Sequence, residues 1–267
     1  MKCKDCGHEY LLAFSCKRRH FCPSCHQKRV VEFGERLCMD VLKKIPHRHF
    51  VFSIPKILRR YFLYDRKLLA DLSCCAWESL KVFLQEAVPE NDPIPGAVIA
   101  MQTFGDSLGF NPHCHILVTD GGMFRVAPPL ELKKIEVIFR HNVFKMLLAK
   151  GKIIREMIAM HSSWKHSGFH VFCGNRISPN DETAMENLAR YIIRASFSQE
   201  RMKYLDQEGT VVYTGKDKKT SKVFPAPVSS TGQALEWLAA MCSHIPNRGK
   251  QMVKYYSRSI TDDIIAH

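Results

Sequence analysis

The sequence lacks the segments that would place the chain in a membrane or send it out of the cell. No apolar run approaches the ~20 residues that a membrane-spanning helix needs, and the amino terminus MKCKDC has no apolar signal region. Acidic residues are scarce, because 26 Asp and Glu stand against 39 Lys and Arg, a formal net charge of +13. We therefore expect a cytoplasmic protein with no membrane partner and a polyanionic ligand, nucleic acid before lipid.

Two further absences narrow the fold and the chemistry. The sequence contains no glycine-rich phosphate loop, which predicts that no nucleotide cofactor is used. It shows no internal repeat, and its strand and helix patterns do not alternate strictly. The clearest strands, at 97–104 and 113–119, read as a hairpin, which favours an α+β fold with an antiparallel sheet and flanking helices.

Cysteine, by contrast, is plentiful, and the spacing of the first cysteines indicates a metal site. Cys3 and Cys6 form one C-x-x-C pair, Cys22 and Cys25 form another, and fifteen residues lie between the pairs. Two such turns can close one tetrahedral thiolate site, so we predict a structural zinc ion (Zn²⁺) held by these four residues. Other donors stand nearby and leave the ligand set open: His8, Cys16, His20 and His26.

The predicted zinc module is also basic. Lys17, Arg18 and Arg19 lie between the two cysteine pairs. A small basic module stabilised by a metal ion is typical of a nucleic-acid-binding module. The alternative is that these charges form an ordinary solvated surface. We predict a zinc-binding module over residues 1–30 and a second domain over residues 31–267.

The stretch FNPHCHILVTDGG, residues 110–122, carries two histidines on a predicted strand. His113 and His115 are two residues apart, so their imidazoles project to the same side. If Phe104 lies opposite Asn111 in the hairpin, then Gln102 lies opposite His113 and its amide oxygen supplies a third ligand. Such a site suits a divalent cation with positions open for phosphate, whereas an isolated His-x-His is more often core packing.

A predicted helix after Ser178-Pro-Asn-Asp181 carries a tyrosine beside two cations. Its buried stripe leaves Tyr191 on the other side, next to Arg190 and Arg194. The two guanidinium groups would attract phosphate and favour the phenolate, which makes Tyr191 the candidate nucleophile. The less favoured candidates for the nucleophile are Tyr204, Tyr255 and Tyr256. The alternative is that Tyr191 is an ordinary surface tyrosine.

These motifs together resemble a known family. The segments Cys16-Lys-Arg-Arg-His-Phe-Cys-Pro-Ser-Cys25, Gln102-Thr-Phe-Gly105, Asn111-Pro-His-Cys-His-Ile-Leu-Val-Thr-Asp-Gly121 and Leu188-Ala-Arg-Tyr-Ile-Ile-Arg194 are similar to those of the rolling-circle transposases of the insertion-sequence 91 family and its common-region relatives. The likeness runs through nearly the whole chain in the expected order.

The resemblance implies a DNA transposase with a histidine–hydrophobic–histidine (HUH) endonuclease domain. His113 and His115 match the histidines that bind a catalytic Mg²⁺ or Mn²⁺, and Gln102 matches a recurrent glutamine of the preceding strand. Tyr191 matches the tyrosine that nicks single-stranded DNA at the element ends and leaves a 5′-phosphotyrosyl link. The implied setting is the nucleoid, and the oligomeric state stays open.

The sequence departs from the family pattern at two positions. Some members carry two tyrosines four residues apart, and Asn187 occupies the earlier position here, so this helix has no two-tyrosine relay. Cys114 replaces a bulky aliphatic residue between the histidines. Two other functions stay open at this point: a catalytically inactive zinc-dependent DNA-binding remnant, and a metal-dependent phosphohydrolase in which water attacks.

Overall fold

A computed structural model describes eight stretches of the chain. They are residues 22–42, 44–87, 96–120, 131–208, 210–216, 218–224, 234–247 and 249–256. Cys3, Cys6, Lys17, Arg18 and Arg19 lie outside these stretches. Within the described part of the chain, no helix combines the length and apolar character that crossing a membrane requires.

The centre of the fold is a five-stranded antiparallel sheet with the strand order β4-β1-β3-β2-β8. Its strands are β1 (His47–Ser53), β2 (Ala97–Phe104), β3 (Phe110–Thr119), β4 (His170–Cys173) and β8 (Val253–Tyr256). A smaller antiparallel sheet contains β5 (Met202–Leu205), β6 (Thr210–Thr214) and β7 (Ser221–Phe224). The predicted α+β fold with an antiparallel sheet and flanking helices is confirmed.

Helices cover both faces of the large sheet. The α-helices of the described stretches are α1 (Pro23–Arg36), α2 (Arg59–Tyr64), α3 (Leu68–Ala87), α4 (Leu132–Ala149), α5 (Arg155–Ser162), α6 (Glu182–Ile192) and α7 (Ala234–Cys242), and the last of these packs against β7 of the small sheet. On one face α3 and α4 bury the larger core against alternate strand residues such as Phe52, Ile99 and Ile116. On the other face α6 and a π-helical turn (Leu37–Val41) pack on Ala100 and Leu117.

The register of β2 and β3 decides what shares the α6 face. Gln102 pairs with His113 and Ala100 pairs with His115, so the predicted partner of His113 is confirmed. The expected pairing of Phe104 with Asn111 is wrong, because Phe104 pairs with Phe110 across a β-bulge. The extra residue of the bulge lies in β3, between Phe110 and His113, so the register at the histidines is unchanged.

The helix that carries Tyr191 starts later than its sequence predicts. Asp181, not Ser178, caps α6, because its side chain accepts a hydrogen bond from the Ala184 backbone N–H. The predicted stripe is buried at Met185, Ala189 and Ile192. Helix α1 runs through residue 30, where the predicted module boundary falls, and packs beside α6.

Candidate active site on the α6 face of the sheet

His113 presents one ring nitrogen to the site. It lies near the start of β3 and is 9% exposed. Its Nδ1 donates a hydrogen bond to the Asn111 carbonyl at 2.7 Å, since a carbonyl can only accept. The neutral ring therefore carries its proton on Nδ1 and keeps the lone pair on Nε2, which is the form that binds a metal ion.

His115 lies one strand repeat further on, and its ring centroid is 4.9 Å from that of His113. Its Nδ1 lies 2.9 Å from the Nε2 of His49, and the two rings stack with centroids 5.1 Å apart and planes 7° apart. Its Nε2 is buried and has no hydrogen-bond partner among the described residues. One nitrogen of His115 is thus held by His49, and the other is open to a ligand.

A third histidine, His49, contacts the site. It lies on β1, the strand next to β3, and its side chain is on the same face as His115. Sequence alone does not bring them together, because 66 residues separate the two histidines. The available signal was the spacing of His47 and His49, which puts both on one side of β1.

Burial keeps these three rings neutral. It is the main cause that lowers the pKa of His115 to about 2, with the nearby His113, His49 and Arg194 adding to the effect. Burial lowers the pKa of His49 to about 4, and burial is also the main cause that lowers the pKa of His113. At neutral pH each imidazole therefore has one protonated nitrogen and one nitrogen with a lone pair.

Gln102 has its two amide atoms in different roles. Its Nε2 donates to the carbonyl of Ile192 at 2.7 Å and to that of Tyr191 at 3.2 Å. Its Oε1 is buried and has no hydrogen-bond partner among the described residues. The amide group thus holds the end of α6 and leaves an oxygen acceptor on the strand position opposite His113.

Tyr191 lies against His115. Its ring centroid is 5.5 Å from that of His115, and the two planes meet at 86°. The residue is 40% exposed, which leaves part of it open to a ligand from solvent. The guanidinium carbon of Arg194 lies 4.4 Å from the Tyr191 ring centroid and 5.4 Å from that of Phe104, which places a cation against the phenol ring.

The other predicted cation of this helix is already paired. Arg190 forms an ion pair with Glu186 one turn back along α6. Its side chain also packs against α1 beside Gly34. Of the two arginines, Arg194 is the one whose guanidinium faces Tyr191, and the charge of Arg190 is largely compensated locally.

The cysteine pair that the structure describes sits where α1 begins. Cys22 is the residue before α1 and Cys25 lies in its first turn, and both are half-buried and form no disulfide. His26, one of the alternative zinc ligands, is buried, and its Nε2 donates to the Ile193 carbonyl at 3.0 Å. Helix α1 thereby contacts the end of the helix that carries Tyr191.

The donor set fits a divalent cation of the kind the sequence predicts. No three His, Cys, Asp or Glu side chains in the described stretches converge on one point, so the histidine pair needs a donor of another kind. Gln102 offers one, and its buried amide oxygen and the buried Nε2 of His115 both lack partners among the described residues. Two imidazole nitrogens and one neutral oxygen leave the charge of a bound cation uncompensated, which favours an anionic ligand.

Two family models match the chain. One, described as "Putative transposase", matches residues 96–258, and the other, described as "Transposase zinc-binding domain", matches residues 1–54. The first covers more than half of the chain, including β2, β3 and α6. The protein belongs to the transposases of the insertion-sequence 91 family. The zinc-binding match supports a zinc ion bound within residues 1–54.

Two curated relatives are similar to the chain. The transposase for insertion sequence element IS801 from Pseudomonas savastanoi pv. phaseolicola is 23% identical over 94% of this chain and 63% of its own length. The transposase-like protein y4qJ of Sinorhizobium fredii (strain NBRC 101917 / NGR234) is 27% identical over 45% of this chain and 30% of its own length. The chain thus spans less than two thirds of either relative.

Among solved structures, a distant likeness is found to the origin-recognition/nickase domain at the amino terminus of human bocavirus non-structural protein 1. The TM-score is 0.35 and the identity is 11%, over 60% of this chain and 85% of the viral one. A similarity of this size is too weak to assign a shared architecture or activity.

Proposed function

We propose that this chain cuts and joins single-stranded DNA through Tyr191, with a divalent cation at His113, His115 and Gln102. The proposal extends the transposase family assignment to a chemical mechanism. In the cutting step the Tyr191 phenol loses its proton and its oxygen forms a bond to phosphorus, while the bond from phosphorus to the 3′-oxygen breaks and that oxygen takes up a proton. The products are a 5′-phosphotyrosyl link and a free 3′-hydroxyl.

The protein groups have separate tasks in this scheme. A bound Mg²⁺ or Mn²⁺ would polarise the scissile phosphate and offset negative charge on its oxygens. The Nδ1–H bond of His113 and the stack of His115 on His49 orient the two imidazoles toward the ligand position. Arg194 lies against the Tyr191 ring, where its charge would attract the phosphate and stabilise a phenolate. Rejoining needs no nucleotide cofactor, because the phosphotyrosyl ester conserves the free energy of the broken phosphodiester bond.

The observation that carries the proposal is the meeting of three elements at one place. Tyr191 comes from α6, the histidine pair from β3 and Gln102 from β2, and Gln102 bonds directly to the helix end that carries the tyrosine. The Tyr191 ring centroid lies 5.5 Å from that of His115, a buried and neutral imidazole whose Nε2 has no hydrogen-bond partner among the described residues. An ordinary surface tyrosine does not require such a neighbour. A structural core would fill those positions with apolar side chains.

The experiment uses single strands of the DNA that flanks this gene, labelled at either end, with the full chain and Mn²⁺. A strand labelled at its 3′ end should give label bound to the protein on a denaturing gel, because the tyrosine keeps the 5′-phosphate. A strand labelled at its 5′ end should give only a shorter free fragment. Tyr191→Phe should reduce the adduct to background.

Tyr204→Phe is the matched control, because Tyr204 is 61% exposed and lies on the separate small sheet. It should form the adduct as the unmodified chain does. Cleavage of both labelled strands without protein-bound label would replace this proposal with a metal-dependent phosphohydrolase. Binding without any cleavage would support a DNA-binding remnant.

A further inference from the structure

A cavity with several basic side chains in its lining lies at the edge of the large sheet. It has a volume of about 330 Å³ and sits between the start of α3, strand β2 and the segment that leads into β8. Five cationic side chains line it: Arg66, Lys67, Lys150, Lys250 and Lys254. The described lining contains one acidic side chain, that of Asp71.

Most of this charge has no counter-ion among the described residues. Lys150 pairs with Asp71 at 3.1 Å, which leaves four cations without an ion pair to a described carboxylate. Among the described residues Lys254 donates only to neutral groups: the Ser73 hydroxyl at 2.9 Å, the Ala70 carbonyl at 3.3 Å and the Cys74 sulfur at 4.0 Å. Arg66 donates to the Ser243 carbonyl, and its Nη2 is buried without a described partner. Such a concentration of cations is stable only beside an anion or water.

The floor of the same cavity is apolar. Leu69, Ile99, Met101 and Met252 line it below the cationic rim. An apolar floor with a cationic rim suits a nucleotide, because a base can lie against the hydrophobic surface while its phosphate meets the lysines. A volume of about 330 Å³ is at the small end of the range for ligand sites. It can admit one nucleotide of a single strand and not a duplex.

The cavity connects to the candidate active site around the edge of β2. A smaller cavity of about 60 Å³ lies next to it, and both are lined by Met101, Pro246 and Met252. The smaller cavity also touches Gln102 and Arg194. Gln102 and Met101 are neighbours on β2 with side chains on opposite faces, so the two cavities follow the sheet from one face to the other.

We propose that the basic cavity holds a nucleotide of the same DNA single strand whose phosphate lies at Tyr191, a short distance along that strand. This inference rests on the proposed function for its ligand and adds a second site that fixes the path of the strand. The strand would leave Arg194, pass Met252 and place a base on Met101. The phosphate of that nucleotide would meet Lys67 and Lys250, the two exposed lysines of the rim that form no ion pair with a described carboxylate.

The test measures binding of a fluorescent single strand by anisotropy over a series of salt concentrations. All proteins carry Tyr191→Phe and no divalent cation is added, so that no cleavage interferes. The double variant Lys67→Ala/Lys250→Ala is compared with Lys133→Ala/Lys165→Ala, which removes two exposed lysines from outside the cavity. Each lost phosphate contact reduces the salt slope by about 0.7, so the cavity variant should lose about 1.4 in slope and about 25-fold in affinity at ~0.1 M salt.

The control variant should keep the slope of the parent protein. The proposal is overturned if the cavity variant keeps its slope, or if the control loses as much. It is also overturned if a duplex of the same sequence loses the same affinity, because the cavity would then be part of a general basic surface. Failure of the Tyr191 adduct leaves this binding measurement intact, whereas an adduct together with an unchanged slope refutes the cavity alone.

Discussion

Replacing Gln102 with glutamate separates the two roles of this side chain. Gln102→Glu keeps the size and shape of the residue and changes a neutral amide into a carboxyl group. The atom that takes the place of Nε2 then becomes an oxygen, and it faces the carbonyl oxygens of Tyr191 and Ile192. The substitution therefore removes both hydrogen bonds to the end of α6, while a metal ligand remains in position.

The expected loss of stability follows from burial and bonding. Gln102 is 3% exposed, so the freed carbonyls and the new carboxyl group cannot turn to water. Two lost hydrogen bonds contribute about 1 kcal/mol each, and the groups left without partners cost about 1–3 kcal/mol more. We expect the free energy of unfolding to fall by about 3–5 kcal/mol at pH 7.5 without added divalent cations.

The loss should depend on pH in a defined direction. Burial raises the pKa of the new carboxyl in the folded state above its ordinary value of about 4.3. The folded variant then binds more protons than the unfolded chain, so its stability falls as pH rises from about 4.3 through the folded pKa. The difference between variant and parent should thus be smaller at pH 5 than at pH 7.5. Buried histidines weaken both proteins at acid pH and cancel in this difference.

Urea denaturation of the zinc-loaded chain at both pH values checks this prediction. Gln207→Glu is the matched control, because Gln207 is exposed in the turn after β5 and the same change there should stay within about 0.5 kcal/mol. Added Mn²⁺ should stabilise Gln102→Glu more than the parent, since a carboxylate is the stronger ligand. Equal stability of variant and parent at pH 7.5 would refute the role of the amide in holding α6.

Two further predictions concern the neighbouring strands. His49→Phe removes the ring nitrogen that contacts His115 and should weaken Mn²⁺ binding about 10-fold or more, as measured by electron paramagnetic resonance. His49→Gln restores a hydrogen-bond acceptor and should restore most of the Mn²⁺ affinity. Equal Mn²⁺ affinities of the two variants would contradict the role of His49 in positioning His115. Gly168→Ala should lower the free energy of unfolding by about 2–4 kcal/mol, because φ is +67° and a Cβ would lie 2.8 Å from Pro55. Gly151→Ala, at φ +64° with no atom within 4 Å, should cost only about 1 kcal/mol in the same urea experiment; equal losses would contradict the clash.

The pairing at the candidate site could be predicted from the sequence because it depends on local pattern. Two apolar strands joined by a short glycine-containing loop fix an antiparallel pair, and the period of two assigns the faces. Gln102 therefore reaches His113, and Cys114 points into the opposite core. The exposed position of Tyr191 follows in the same way from the 3.6-residue period of α6.

Other features depend on contacts that no local pattern carries. Strand β8 has four residues, and it exists because its backbone pairs with the free edge of β2. The late start of α6 is instead a local effect, because the Asp181 backbone N–H donates to the Ser178 carbonyl and closes a turn before the helix begins. The stack of His49 on His115 needs β1 and β3 to be neighbours, which the topology of the sheet decides.

The position of Tyr191 depends on two distant parts of the chain that meet at the end of one helix. A helix leaves its last carbonyl groups without partners inside the helix. At the end of α6 those of Tyr191 and Ile192 accept from Gln102, and the next one, of Ile193, accepts from His26. The first donor belongs to the strand opposite the histidine pair, and the second belongs to α1, the helix that begins directly after Cys22. Helix α1 thus contributes directly to the position of Tyr191 beside His115. If α1 moved, the end of α6 that positions the phenol would lose the hydrogen bond from His26.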